Sequence, residues 1–453
     1  MADKILPATC AKPITHAHAE SNPPAETHFG PGSSCMRKAD RIKSHYSYVI
    51  AASCFGIQAV GIGTYISYGI LFNPLIREFG WSRASIAGAS SVAFLLMGLL
   101  GIVIGRLNDR IGPRKLMTVA GVCFGLGYLL MSRLETVWQL YLFFGIVFGI
   151  GLSSIDVIAL STTARWFVKK RGMVTGIVKV GSGAGQMAIP FLASILITSC
   201  GWRNSCVIIG VAVLIILVSI AQLMRRDPGQ TGLSPDGDEA SAAGTWPLAP
   251  EGSSLREALR TRQFWTLCAS YLTAVFCLMI VMVHIVPFAM DINISATKAA
   301  GVLSTIGGVS MAGRFFSGLA IDRIGSRKVM IFCFSLLTAT LVLLQFSKEL
   351  WMIYLFAVIY GIAHGGLFTT FSPIVAELFG IKSHGAIFGI AMFSGTFGGA
   401  VGPFLAGYIF DVTGGYSLAI WICILMSALG FVLISLLKPV EVIPPTDLVK
   451  PVR

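Results

Sequence analysis

The chain has 453 residues, of which 55% are hydrophobic and 12% charged, with a mean hydropathy of +0.78 and a formal net charge of +13. Soluble domains carry about 25% charged residues. A chain this long with half that share cannot clothe a water-facing surface, so a lipid environment is expected.

Residues 1–46 are polar and contain no apolar run, unlike a cleaved signal peptide. They are expected to form a disordered cytoplasmic tail; metal binding by its THAHAE stretch (His16, His18) is the minor alternative. Twelve apolar stretches of about 20 residues follow, the length a helix needs to cross ~30 Å of hydrocarbon. They lie at 47–72, 84–105, 115–132, 137–163, 172–198 and 204–224, then at 264–289, 297–317, 328–346, 350–376, 385–409 and 416–437. The 50 glycines suit close helix packing in a membrane. Residues 225–262 break the rhythm: a Pro-, Gly- and Ser-rich flexible linker runs into LREALRTRQFW, a short basic amphipathic stretch expected on the inner membrane face. Residues 438–453 form a second expected cytoplasmic tail.

The basic residues record topology. With both termini and the even-to-odd loops cytoplasmic, 26 of the 34 Lys and Arg fall on that side. Six fall on the other (Arg77, Arg83, Arg133, Arg203, Lys298 and Lys348), and two lie inside spans. This is the positive-inside pattern, so the charge does not call for a nucleic-acid partner.

Ten cysteines are scattered with no CxxC or Cys/His ligand spacing, and no metal site is expected. Cys200 and Cys206 flank an outer loop, as a disulfide or, preferably, as two thiols. There is no GxxxxGK[ST], hence no ATP site of that kind, and no HExxH or GxSxG. The GSGAG run (181–185) sits within an apolar helix and suits packing rather than a dinucleotide. No cofactor is expected, and no enzyme.

The sequence repeats itself. GRLNDRIGPRKLM (105–117) becomes GLAIDRIGSRKVM (318–330), pairing Asp109 with Asp322 and Arg114 with Arg327. The same shift carries Pro74 to Pro287, Tyr141-Leu142-Phe143 to Tyr354-Leu355-Phe356, and Pro190-Phe191-Leu192 to Pro403-Phe404-Leu405. An all-α membrane protein of two pseudo-symmetric six-helix bundles is expected, 47–224 and 263–437, with a binding site between them.

Five ionisable side chains stay inside spans, each a functional candidate because burial there costs several kcal/mol: Asp156, Lys179, His284, Arg314 and His364. Arg314 lies eight residues before Asp322, about 12 Å inside, and its planar fork suits a carboxylate. Asp156 and Lys179 reach similar depths on antiparallel spans four and five, where an ion pair is feasible. That pair is either a structural bridge or a cavity element opened by substrate or proton.

Twelve spans in two halves with GRLNDRIGPR between the second and third resemble the major facilitator superfamily. YGILFNPLIREFGWSRASI (68–86), RWFVKKRGMVTGI (165–177), GLSPDGD (232–238), QFWTL (263–267), VHIVPFAMD (283–291), AELFG (376–380) and GPFLAGYIFDVTGGY (402–416) narrow the resemblance to bacterial monocarboxylate porters and oxalate–formate antiporters. The resemblance implies the major facilitator fold, a monomer, and alternating access. It implies that Arg314, within VSMAGRFFSGLAID, binds a substrate carboxylate. It also implies that Asp109, Arg110 and Arg114, with Asp322, Arg323 and Arg327, form a gating motif that pairs charges across the halves; a positive-inside anchor is the plainer alternative.

Departures matter too. Ser310 stands where mammalian relatives carry a proton-coupling aspartate, and Tyr68 is the nearest match to their first-span lysine. The second lysine of oxalate carriers is absent from GAIFGIAMFSGTFGG (385–399), which disfavours oxalate. Relatives usually have a tyrosine at Asp156, which weighs against a simple lactate-like substrate. His364 replaces a cavity tyrosine and is expected at the substrate. His284, and in a second place Asp156, are the candidates for proton coupling, although packed histidines within spans are commoner than working ones.

The expectation is a secondary transporter of a small organic acid anion in the inner membrane, coupled to protons or to anion exchange, with Arg314, Ser310, His364, Tyr68, Asp156 and Lys179 around the substrate. The first alternative is a carrier of a cationic or zwitterionic drug, amine or osmolyte held by Asp156. The remote one is a membrane sensor that no longer transports.

Overall fold

Where no water reaches the backbone, its N–H and C=O groups must pair within the chain, and apolar runs of this length do so as helices. The computed structural model describes residues 32–81, 83–231 and 252–437. It divides into two units, Met1–Ile42 and Lys43–Arg453. Residues 32–42 of the first unit are helical. The second unit carries the apolar spans and the residues of the candidate site.

The first half contains α1 (Gly32–Ser67), α2 (Arg83–Ile111), α3 (Pro113–Met131) and α4 (Val137–Trp166). The helical stretch Arg171–Leu223 completes it as two helices, because Gly201 breaks it at φ 78°, ψ 159°; these are α5 (171–200) and α6 (202–223). A side chain rarely tolerates that φ. The second half contains α7 (Arg262–Asp291), α8 (Ala296–Ile324), α9 (Ser326–Gln345), α10 (Leu350–Phe379), α11 (His384–Thr413) and α12 (Ser417–Leu436). Among the described residues ten helical stretches are long and apolar enough to cross a membrane. Gly201 divides one of them. α8, made less apolar by Lys298, Arg314, Asp322 and Arg323, is the twelfth span and packs against α10 and the 171–223 pair.

Within the halves α3 packs on the 171–223 pair and α2 on α4, while α8 packs on α10, α7 on α11, and α9 on α10 and α12. Two large contacts join the halves, α2 with α11 and α5 with α8, and smaller ones link α10 to the 171–223 pair and α4 to α10 and α11. The repeat is visible in detail. Gly112 and Gly325 turn the chain at φ 91° and 84° between α2–α3 and α8–α9. Trp138 and Trp351, at matching starts of α4 and α10, are 83% and 63% exposed, as interfacial anchors are. It fails at Tyr141–Phe148 of α4, a π-helix whose mates in α10 are α-helical, and at Tyr68–Leu71, a 3-10 turn whose mates in α7 are α-helical.

α1 begins at Gly32, so residues 32–46 are helical rather than an irregular tail. Beyond Gly32 the segment holds no Gly or Pro, and its Met, Arg, Lys and Ala residues are good helix formers. Residues 1–31 with His16 and His18, the linker part 232–251 with GLSPDGD, and the 438–453 tail lie outside the described residues. The amphipathic stretch is a short helix, Leu255–Leu259, closed by a capping box between Ser254 and Glu257. Cys200 and Cys206 are free thiols; the Cys200 Sγ donates to the Leu196 carbonyl at 3.1 Å.

Candidate functional site

The two motif aspartates join the halves through backbone N–H groups. Asp109 ends α2 and accepts hydrogen bonds from the Gly385 and Ala386 backbone N–H groups at 3.1 and 2.9 Å. Asp322 ends α8 and accepts from those of Gly172 and Met173 at 2.6 and 2.8 Å. The first N–H groups of a helix lack intrahelical partners and carry partial positive charge. Each carboxylate therefore caps a helix of the other half, α11 or α5, and the two caps are repeat mates atom for atom. Glycines permit the approach. A Cβ at Gly385 would lie 2.7 Å from the Gly105 carbonyl oxygen, and one at Gly318 2.6 Å from that of Gly172.

The motif arginines behave differently from one another. Arg114 donates twice to Gln222 Oε1, at 3.0 and 2.8 Å, and Arg327 to the Ile434 and Ser435 carbonyls. They staple α3 to α6 and α9 to α12 within their own halves. Arg110 and Arg323 are exposed, and their side chains make no hydrogen bond among the described residues. The charge partner of Asp109 is the buried Arg165, at 2.9 Å, in its own half. For Asp109 the contact across the halves is thus carboxylate to backbone.

A cavity of about 270 Å³ lies deeper between the halves. Its polar floor comprises Asp156, Lys179, Ser182, Gln186, Arg314 and His364. Asp156 Oδ1 accepts from the Lys179 ammonium and from Gln58 Nε2, the latter at 2.8 Å. Arg314 is 5% exposed and reaches across to α5, where one terminal nitrogen donates to the Lys179 carbonyl at 3.1 Å and to Ser182 Oγ at 2.9 Å. A Cβ at Gly183 would stand 3.1 Å from that nitrogen, so the small residue keeps its place open. The Arg314 Nε is buried with no hydrogen-bond partner, and no carboxylate bonds the guanidinium among the described residues. Ser310, behind the wall, shares a hydrogen bond of 2.9 Å with His364 Nδ1. The floor holds two cations and one carboxylate, leaving one positive charge for a ligand to balance.

Of the residues singled out in the sequence, the structure brings Asp156, Lys179, Arg314 and His364 into this cavity and puts Ser310 directly behind His364. It places Tyr68 and His284 elsewhere. Tyr68 is buried in the first half, stacked on Phe144 at 3.9 Å, with its hydroxyl donating to the Ile86 carbonyl at 2.7 Å. Tyr65, one turn earlier, lines the cavity instead. His284 has both ring nitrogens engaged, with the Tyr416 hydroxyl at 3.2 Å and the Pro403 carbonyl at 2.9 Å, between α7, α11 and α12. Sequence reasoning missed Gln58 and Ser182. Gln58 was visible as a lone amide in an apolar span, and Ser182 as a polar residue one turn from Lys179 on the same helix face.

The family model described as Major Facilitator Superfamily matches residues 53–320 and 291–450. Among curated proteins, the chain is 23% identical to human monocarboxylate transporter 7, over 87% of this chain and 86% of that one. It is 26% identical to mouse monocarboxylate transporter 11, over 83% and 84%, and 22% identical to the uncharacterized MFS-type transporter YcxA of Bacillus subtilis, over 83% and 92%. Among solved structures, the proton:xylose symporter XylE superposes with a TM-score of 0.67 at 14% identity, covering 86% of this chain and 95% of that one. The human organic anion transporter MFSD10 superposes with a TM-score of 0.65 at 15% identity, covering 86% and 99%. These superpositions speak to the fold.

Proposed function

We propose that this chain, which belongs to the Major Facilitator Superfamily and is a multi-pass membrane transporter rather than an enzyme, moves a small organic acid anion by alternating access. The observation that carries the reading is Arg314: a buried guanidinium on a cavity wall, its Nε unpartnered and no carboxylate bonded to it among the described residues. An arginine cannot shed its charge, and its fork matches a carboxylate. The monocarboxylate transporters among its relatives agree with that class.

Coupling to protons follows from the floor. The Asp156 carboxylate holds the Lys179 ammonium. A proton taken up by Asp156 releases that ammonium to join Arg314 at the substrate carboxylate, so anion and proton bind together and the loaded cavity keeps its net charge. His284, with both nitrogens engaged outside the cavity, is less suited to this step. The same ion pair weakens the reading of Asp156 as an anchor for a cationic or zwitterionic substrate, because its charge is already matched.

The Asp109 and Asp322 caps hold the motif end closed, and alternation requires both to let go. Positive charge concentrated on the motif side supports both termini being cytoplasmic; the inner membrane and a monomer are the reading that goes with the resemblance. Uptake of labelled monocarboxylates into proteoliposomes tests the reading. Arg314→Gln is expected to lower uptake about 100-fold or more, and an imposed inward proton gradient to raise it in the parent. Uptake indifferent to the gradient removes the proton step; uptake unchanged in Arg314→Gln removes the carboxylate anchor.

A further inference from the structure

The rest of the cavity lining is unlike its charged residues, and the difference carries information about the rest of the ligand. Tyr65, Phe94, Tyr271 and Phe368, with Met279 and Met282, form a largely aromatic wall. The aromatic rings are held in place by other rings. Tyr271 stacks on Phe371 at 3.4 Å, Tyr65 lies between Phe94 and Phe144 at 6.4 and 6.5 Å, and Phe368 meets His364 edge-on at 5.1 Å. Methionine is flexible and polarisable and fits irregular apolar shapes. Rigid aromatic faces beside adaptable thioethers suit a flat or branched apolar group, and a C2 or C3 acid would leave them facing water. Volume agrees: an apolar cavity of about 150 Å³ already accepts benzene, and this one is about 270 Å³.

We infer that the substrate is an amphipathic monocarboxylate, its carboxylate on Arg314 and an aromatic-sized apolar tail against the Tyr65, Phe94, Tyr271 and Phe368 wall. The inference rests on the carboxylate reading of Arg314 and adds the tail. Among the described residues the cavity lining holds no charged side chain besides Asp156, Lys179 and Arg314, so a second carboxylate or an ammonium on the tail finds no further partner and is rejected. Binding therefore strengthens as apolar length is added, by about fourfold per methylene while the tail stays within the cavity, and a phenyl ring outperforms an acetyl-sized acid by a large factor.

Purified protein in detergent is titrated with acetate, butanoate, hexanoate, phenylacetate and 3-phenylpropionate, and with 2-phenylethanol and 2-phenylethylamine as neutral and cationic analogues. Affinity is read from the ligand-dependent shift in melting. The expected result is a rising series among the acids, with phenylacetate and 3-phenylpropionate at the top, lost in Arg314→Gln. Phe94→Ala is expected to cut the preference of 3-phenylpropionate over acetate about tenfold; Met282→Ser is a second wall variant, expected to cut it too, should Phe94→Ala fail to fold. If acids bind in an Arg314-dependent way but affinity is flat or falls with tail length, the tail is wrong and the carboxylate reading stands. If the amine or the alcohol binds and no acid does, the carboxylate reading fails and the tail inference falls with it.

Discussion

At the motif end Asp109 and Asp322, Gly105 and Gly318, and Gly172 and Gly385 occupy matching positions of the repeat and make matching contacts. In the cavity the repeat mates of Gln58, Asp156 and Lys179 are Tyr271, Thr369 and Met392, and the mate of Arg314 is Gly101. The scaffold still converges there: the Tyr271 hydroxyl meets the Met392 sulfur at 3.4 Å, on the helices corresponding to those that carry Gln58 and Lys179. Its charge has gone. A gate of the proposed kind has to close two equivalent interfaces with one geometry, so departure in one half would unbalance it. A substrate has no two-fold symmetry, so the residues that line the cavity are free to depart from the repeat.

Substitutions that exchange repeat mates test this contrast, and the cavity should show the largest effect. Lys179→Met installs the mate's residue and strands Asp156, which is expected to cost about 3–5 kcal/mol and to lower the melting temperature of the purified protein. Asp156→Asn added to Lys179→Met should recover most of the loss. A single variant that melts like the parent would mean the pair holds nothing together.

At the motif end the repeat predicts similarity. Asp109→Asn and Asp322→Asn each weaken a charge-assisted cap, and hydrogen bonds to charged groups contribute about 1.5–3 kcal/mol. Asp109→Asn also takes a counter-charge at 2.9 Å from Arg165. Spin labels at the exposed positions Arg110 and Lys382, on opposite halves, would report the opening as a longer distance in either variant. An unchanged distance in both would mean that the caps do not hold that end together.

The smallest effect separates core from cavity. Tyr68→Phe removes one hydrogen bond to the Ile86 carbonyl, about 1 kcal/mol, and should leave ligand affinity unchanged in the melting assay. A drop in affinity would bring Tyr68 to the substrate.

Much of the fold was legible because lipid leaves a chain few options. A run of 20 apolar residues has to be a helix, so the expected spans and the helices agree in number and order, with ends that differ by a few residues except at α1, which begins at Gly32 and not at 47. Span ends such as Ile111 and Ile324, which run past the apolar stretches into charged loops, depend on caps and neighbouring helices that hydropathy does not see. The candidate site was legible where a residue's presence in a span was itself costly, as at Asp156, Lys179 and Arg314. It was illegible where cost gave no signal. Tyr68 and Tyr65 are equally acceptable in a span, and only the packing of Tyr68 on Phe144 places one in the core and the other on the cavity.

Sequence alone therefore determined the helical architecture, the repeat, and the identity of the charges that remain in the membrane, because each follows from local composition and from the cost of burying polar groups. Tertiary structure decided the partners. Asp156 reaches Lys179 and Gln58, Arg314 crosses to α5 and keeps its Nε unpaired, and Asp109 caps α11 instead of meeting a motif arginine. Those outcomes turn on the approach of helices far apart in the chain, where glycines let backbones touch and a distance of a few ångströms determines whether a charge is matched or left for a ligand.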